Sequence, residues 1–221
     1  MVRAVRAGEG TAAAPGETPV RRLSAGERRE QLFDVALTLF AERGYRSTTM
    51  DDIAEAAGVT KPLLYQHFSS KRALYLELVD SVAHQLLVAI AEAAKTAKGP
   101  RQQVERGFAA YFHMVVTHEA AFRLLYGRDH SGDEELDEAL RRVEDAIAEA
   151  IDPLIDAGLD PEHRRQLAYA VVGMAEGVSR HWVSTRAPRG RAVADGEEEA
   201  RRLAARLADL AWAGLRSVHA D

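Results

Sequence analysis

Residues 49–68 constrain this chain more than any other stretch. Thr49 stands at a helix start with Asp52 three positions on, the arrangement in which side chain and backbone cap each other. Met50, Ile53, Ala54 and Ala57 then share one helical face, and Gly58 supplies the left-handed residue that stops the run. Thr60 is placed to cap a second run, Lys61 to Phe68, with Pro62 tolerated in its first turn. Each run is about eight residues, too short to be helical in isolation. Helix, three-residue turn and helix is the spacing of a helix-turn-helix, and it must pack on a further element. That element is predicted over Glu27–Arg43, where Leu32, Val35, Ala36, Leu39 and Phe40 repeat at i, i+3, i+4, i+7, i+8 before Gly44 ends it.

The remainder reads as helical too. Alanine, leucine, glutamate and arginine dominate and aromatics make up only 6%, which favours helices over sheet. Ser69 or Ser70 caps a long helix running to about Lys95, broken by Lys98-Gly99-Pro100. Further helices are predicted at about 101–118, 120–126, 134–156 with Pro153 distorting its end, 161–185 and 197–219, joined by polar Gly-bearing loops at 127–133 and 186–196. Residues 1–24 mix Gly, Pro, Ala and Thr without apolar periodicity and are expected to form a disordered arm. Its Arg3, Arg6, Arg21 and Arg22 could lend loose electrostatic support to an anionic partner. The expected division is an arm at 1–24, a helix-turn-helix domain at 25–72 and a larger helical domain at 73–221, all α, with about nine helices. The absence of cysteine removes disulfides and thiolate metal sites, and no apolar run approaches a membrane span, so a cytoplasmic, membrane-free protein is expected.

Net charge is −5, but it is unevenly placed: residues 1–76 carry 11 Lys/Arg against 9 Asp/Glu, and the rest carry 18 against 25. On a helical wheel over Lys61–Phe68, Leu64 and Phe68 form the edge that packs inward. Pro62, Leu63 and Gln66 face outward, flanked by Tyr65 and His67. In a major groove the central residues of such a face meet base edges while hydroxyl and imidazole groups reach the phosphate walls. Lys61 opens this helix and Lys71-Arg72 open the next, so cations sit at positive dipole ends, a mismatch that phosphate would resolve.

The run Thr48-Thr49-Met50-Asp51-Asp52-Ile53-Ala54-Glu55-Ala56-Ala57-Gly58-Val59-Thr60, then Lys61-Pro62-Leu63-Leu64-Tyr65-Gln66-His67-Phe68 and Ser69-Ser70-Lys71-Arg72-Ala73-Leu74, closely resembles the TetR family of repressors over about residues 28–79. The resemblance implies that Tyr65, His67, Lys71 and a threonine at 48 or 49 contact phosphates, while Lys61, Pro62, Leu63 and Gln66 read or neighbour base edges. Leu63, Gln66 and Asp51 depart from the residues commoner in that family. It also implies an effector pocket in the C-terminal domain for a small, largely apolar molecule. Phe108, Tyr111, Phe112, Phe122, Tyr126, Met174, Val178 and Trp182 are the candidate lining, with Met114 and Leu125 beside them and His113, His118, Arg123, Glu176 and His181 as polar candidates.

Two later helices carry apolar residues on two sides. Leu167, Val171, Met174, Val178 and Trp182 form one stripe, beside Ala168, Val172, Ala175 and Ser179. The last helix aligns Leu203, Leu207, Leu210 and Gly214 next to Ala200, Ala204, Ala208, Ala211 and Leu215. Pairing with symmetry mates is therefore expected. A zinc site is not expected, since His113 and His118 diverge by about 140° on a helix. Nor is catalysis, because no phosphate-cradling Gly loop, G-x-S-x-G elbow or cysteine nucleophile occurs. The sequence therefore reads as a homodimeric repressor of double-stranded operator DNA, without cofactor. In this reading an effector acts through the long helix from Lys71 and Arg72 at the DNA backbone to Leu78, Leu86 and Ile90 at the pocket. The alternative is a helical carrier of apolar molecules that has lost DNA binding, which would have no reason to keep Tyr65, His67 and Lys71 together.

Overall fold

The computed structural model describes residues 23–126, 133–155, 158–185 and 193–218. Among these residues there are nine α-helices and no strand: α1 (Ala25–Arg43), α2 (Met50–Ala56), α3 (Lys61–His67), α4 (Lys71–Lys95), α5 (Pro100–Thr117), α6 (Glu119–Tyr126), α7 (Glu134–Ile151), α8 (Pro161–Thr185) and α9 (Val193–Leu215). The arm of residues 1–22 and the loop tips at 127–132 and 186–192 lie outside the described residues.

Three boundaries differ from the sequence reading, each for a local reason. α1 begins at Ala25 because Ser24 and Glu27 form a capping box, which satisfies amide donors one turn before the apolar stripe starts. α7 ends at Ile151, and Asp152–Leu154 tighten into a 3-10 turn around Pro153, which cannot donate to the helix ladder. α9 starts before Gly196, in the stretch expected as loop: a glycine in the first turn costs less than one in a helix interior.

Gly44 ends α1 at φ 82°, with its N–H on the Phe40 carbonyl, and Gly58 takes φ 65° after α2. Both conformations are strained for residues with a Cβ. They let α1, α2 and α3 fold into a three-helix unit around Leu32, Ala36, Phe40, Ile53, Leu64 and Phe68. The same apolar cluster continues along α4 through Leu74, Tyr75, Leu78, Val79, Val82 and Leu86 into the larger helical half. α4 is long and apolar enough to cross a membrane by composition, yet these residues, with Ala83 and Ile90, are buried and pack it into the protein core. α6 packs on α1, and the buried Tyr75 hydroxyl donates to the Leu124 carbonyl at 2.8 Å, joining α4 to α6.

The two stripes of α8 are the reverse of the expected emphasis. The small-residue stripe, Ala168, Val172, Ala175, Ser179, is buried together with Trp182, whereas Leu167, Val171, Met174 and Val178 are only half-buried. In α9, Ala200, Ala204, Leu207, Ala208 and Ala211 are buried, and α9 packs chiefly on α5. Small side chains let those helix pairs approach closely within one chain. Ala175 and Ala208 are thus core residues, and the face left open lies on the other side of each helix, where Leu210 is 62% exposed.

Candidate functional site

The outer face of α3 is built by what lies beneath it. Leu64 and Phe68 are fully buried, and Phe68 stacks on Phe33 of α1 at 5.8 Å between centroids. This anchoring leaves Lys61, Pro62, Tyr65 and Gln66 exposed and Leu63 and His67 half-buried. Tyr65 is 43% exposed, an aromatic ring displayed rather than packed. Thr60 occupies the N-cap position but makes no side-chain cap bond. Pro62 has removed one of the N–H groups such a bond would use, and the next, on Leu63, bonds the Thr60 carbonyl instead.

Thr49 is the α2 N-cap: its side chain accepts from the Asp52 N–H and its own N–H donates to the Asp52 carboxylate. Its hydroxyl also donates to that carboxylate. These two hydrogen bonds lower the Asp52 carboxyl below its usual range, the hydroxyl's contribution being the larger. Thr48 corrects one expectation. It is completely buried, and its hydroxyl is shared between the Gly44 (2.8 Å) and Leu39 (3.3 Å) carbonyls. It ties the α1–α2 turn down and has no side-chain donor left for a phosphate.

The cations at the helix starts are also occupied. Lys61 Nζ pairs with Asp51 at 2.9 Å, a bond that raises the lysine pKa. Lys71 Nζ donates to the carbonyls of Tyr45 (2.9 Å) and Thr48 (3.0 Å) and lies 4.4 Å from the centre of the Tyr45 ring. It therefore holds the turn before α2 against the start of α4, with one of its three N–H donors uncommitted to these carbonyls. Arg72, expected at the DNA backbone, instead bonds Asp133 (2.7 Å) and Glu135 (2.8 Å) at the start of α7. The dipole mismatch seen in the sequence is thus largely met by acidic residues of the chain itself.

Sequence reasoning missed Arg29. Its guanidinium donates to the His67 carbonyl at 2.8 Å, pairs with Glu77 of α4 and lies 4.4 Å above the Phe68 ring. One α1 side chain thereby fixes the end of α3 and the first turns of α4. Nothing in the periodicity of α1 distinguishes Arg29 from Arg28, because its partners are 38 and 48 residues away.

At the other end of α4 lies a largely apolar cavity of about 90 Å³, walled by Ile90 and Ala94 of α4, Val104, Gly107 and Phe108 of α5, Ile147 and Ile151 of α7, and Val172 and Ala175 of α8. Of the eight candidate lining residues, Phe108, Tyr111 and Tyr126 are there. The other five are not. Phe112 packs edge-on to Tyr111 in the core, Phe122 faces a second cleft, Trp182 is buried further along α8, and Met174 and Val178 lie on its half-open side. The second cleft, about 780 Å³, is bounded by the C-terminal end of α1 and the turn after it (Arg43, Tyr45), α6 (Phe122, Arg123, Tyr126) and α8 (Ser179, Arg180, His181). Arg123 and His181 line it, and His113 and His118 are exposed outside both spaces. Glu176 lies behind the Tyr126 wall that the two spaces share, where burial and then the nearby Glu144 carboxylate push its pKa up to about 7.

Comparison with known proteins follows the same division. Residues 32–78 match the family described as bacterial regulatory proteins, tetR family, and residues 100–214 match the tetracyclin repressor-like C-terminal domain. The transcriptional activator FasR of Mycolicibacterium smegmatis is 32% identical over 177 residues, 79% of this chain and 81% of that protein. The repressor KstR2 of Mycobacterium tuberculosis is 34% identical over 93 residues, and the match spans less than half of that protein, 46%. A TetR-like regulator from Rhodococcus sp. RHA1 has a crystal structure that superposes with a TM-score of 0.71 at 27% identity, covering 89% of this chain and 100% of that one.

Proposed function

This chain belongs to the tetR family of bacterial regulatory proteins and is a DNA-binding transcriptional regulator, and we propose that it acts as a homodimeric repressor released from a palindromic operator by a small, largely apolar effector. The observation that carries this reading is α4. At one end it is tied to the α3 reading head through Glu77 and Arg29 and to the turn before α2 through Lys71, and at the other it forms the cavity wall through Ile90 and Ala94. Its 25 residues span about 37 Å. A guest larger than about 90 Å³ that enters the cavity fully spreads α4, α5, α7 and α8, since that volume is below the roughly 150 Å³ that accepts benzene in a well-known engineered cavity. Tilting α4 then moves the two α3 helices off the roughly 34 Å spacing of successive major grooves.

In this reading Lys61, Pro62, Leu63 and Gln66 approach base edges, while Tyr65, His67, the free N–H of Lys71 and the exposed cap around Thr49 meet phosphates. In this reading the protein acts on DNA in the cytoplasm. Dimerisation uses the open side of α8 and α9. Gly173 and Gly177 are exposed one turn apart there, and a methyl group added at either meets no atom of the described residues within 4 Å. Each glycine costs its helix about 1 kcal/mol relative to alanine, a cost that close approach of a second helix justifies. The FasR match favours a second reading, activation; the sign of regulation then follows from where the operator lies relative to the promoter.

Calorimetry with an identified effector, run with and without saturating operator, tests the proposal. Operator should weaken effector binding by the same factor by which effector weakens operator binding. Equal effector affinity in the two titrations overturns the coupling.

A further inference from the structure

The wall between the cavity and the cleft is polar at its centre. Tyr126 lines both spaces, Tyr111 lines the inner one and Ser179 the outer one. The Tyr111 hydroxyl, the Ser179 hydroxyl and one Glu176 carboxylate oxygen are buried with no hydrogen bond of good geometry to any described residue. Tyr111 Oη faces the hydroxyls of Ser179 and Tyr126, and Glu176 faces Glu144 from α7, Tyr126 from α6 and Arg180, whose nearest approach is 3.8 Å. Tyr111 and Ser179 are both more than nine-tenths buried. Buried hydroxyls are rarely left without well-formed hydrogen bonds; here Tyr111 and Ser179 have only each other and Tyr126 within weak reach, which leaves hydrogen-bonding capacity unused beside a void.

We propose that Tyr111 and Ser179 are the polar recognition site of the effector, and that they receive an uncharged oxygen, a hydroxyl or a carbonyl, carried on an apolar body that occupies the inner cavity. A group attached beyond that oxygen has room in the outer cleft, where Arg123 and His181 line the far side. The proposal rests on reading the cavity as the effector site, and it narrows the effector class to neutral amphiphiles. The neighbouring carboxyl pair explains the exclusion of a free carboxylate. An anion placed between Tyr111 and Ser179 meets Glu144 and Glu176 in a desolvated wall, with Arg180 as the one nearby cation among the groups facing Glu176. Burial holds the Tyr111 hydroxyl up at about 12, so it stays a neutral donor at every physiological pH.

The test is calorimetric titration of the full chain with 1-decanol, methyl decanoate and decanoate at pH 8. The alcohol and ester should each bind at least about ten-fold tighter than the carboxylate. Tyr111→Phe, which keeps the ring and removes the hydroxyl, should weaken the ester about five-fold and leave decanoate unchanged. Circular dichroism reports whether that variant folds; if it does not, Ser179→Ala carries the same expectation. Binding of all three probes with equal affinity, or of decanoate most tightly, overturns this inference and leaves the effector cavity standing. So does an ester affinity unmoved by both variants. Failure of every probe to bind overturns the inference and the effector reading together.

Discussion

The two ends of α4 hold their neighbours by opposite means. Between Lys71 and Glu77 the contacts are directional: an ammonium on two carbonyls, a guanidinium shared by a carbonyl, a carboxylate and a ring, and a buried tyrosine hydroxyl on a fourth carbonyl. Around Ile90 and Ala94 the contacts are aliphatic and leave a void. Hydrogen bonds fail when distance or angle shifts, so the first end has one arrangement. Apolar contacts among Ile, Val and Ala repack with smaller penalties, so the second end has several. A reading head that must match groove spacing sits on the rigid end, and a chamber that must admit a guest sits on the compliant one.

The largest expected effect tests that contrast directly. Phe68→Ala removes the ring on which both Phe33 and Arg29 rest and should cost about 3–5 kcal/mol, with operator binding lost. Ile151→Val at the cavity wall should cost only about 0.5–1.5 kcal/mol and leave operator binding in place. Urea denaturation measures both. Equal losses break the comparison.

A second prediction separates the inner and outer sides of α8. Gly173→Glu and Gly177→Glu point into open space in the single chain, so each should leave its helical content intact. Both should convert the protein to monomers in sedimentation and weaken operator binding about 100-fold, since the second half-site no longer acts at high effective concentration. Stable dimers in both variants would move the interface elsewhere. Ala175→Glu, by contrast, should unfold the chain, because that side chain is in the core.

Filling the compliant end sharpens the comparison further. Gly107 lines the cavity, and a side chain there enters space that no described atom occupies. Gly107→Leu should stabilise α5 by about 0.5–1 kcal/mol, a rise of roughly 1–4 °C in Tm. It should hold operator normally and no longer respond to effector. An unchanged effector response would show that the cavity is not where the ligand sits.

The rigid end was the legible one. Its geometry follows from short-range rules: the Thr49–Asp52 box, the Gly58 stop and the Leu64/Phe68 edge are all written within a few residues of one another. What escaped there was long-range. Lys71 is spent on carbonyls, Arg72 on α7 and Arg29 on α3 and α4, pairings that only the folded chain brings together. At the compliant end the choice of aromatics and methionines as lining caught only Phe108, Tyr111 and Tyr126, because the wall is mostly aliphatic. Isoleucine and valine at helical spacing look alike whether they face a void or a neighbour, so periodicity located the core and could not locate the hole in it.

The smallest expected effect lies at the wall between the two spaces and is a matter of sign. Burial, then Glu144, raises Glu176 to about 7 against an ordinary 4.5, with Arg180 acting in the opposite direction. The folded chain therefore binds a proton that the unfolded chain has already released between those two values. Stability from this site is fully present below about pH 4.5 and is lost as pH rises through about 7. Arg180 is 55% exposed, so solvent screens the site and the loss should be about 1 kcal/mol, or roughly 2–4 °C in Tm, rather than the full linkage value. Glu176→Gln keeps the shape and cannot ionise, so its Tm should be flat across this interval relative to the parent and higher than the parent at pH 8. Thermal melts of both proteins at pH 5, 6.5 and 8 check this. Parallel curves would mean that Glu176 is ionised throughout and that Arg180 outweighs burial, in which case the wall would be no barrier to an anionic guest.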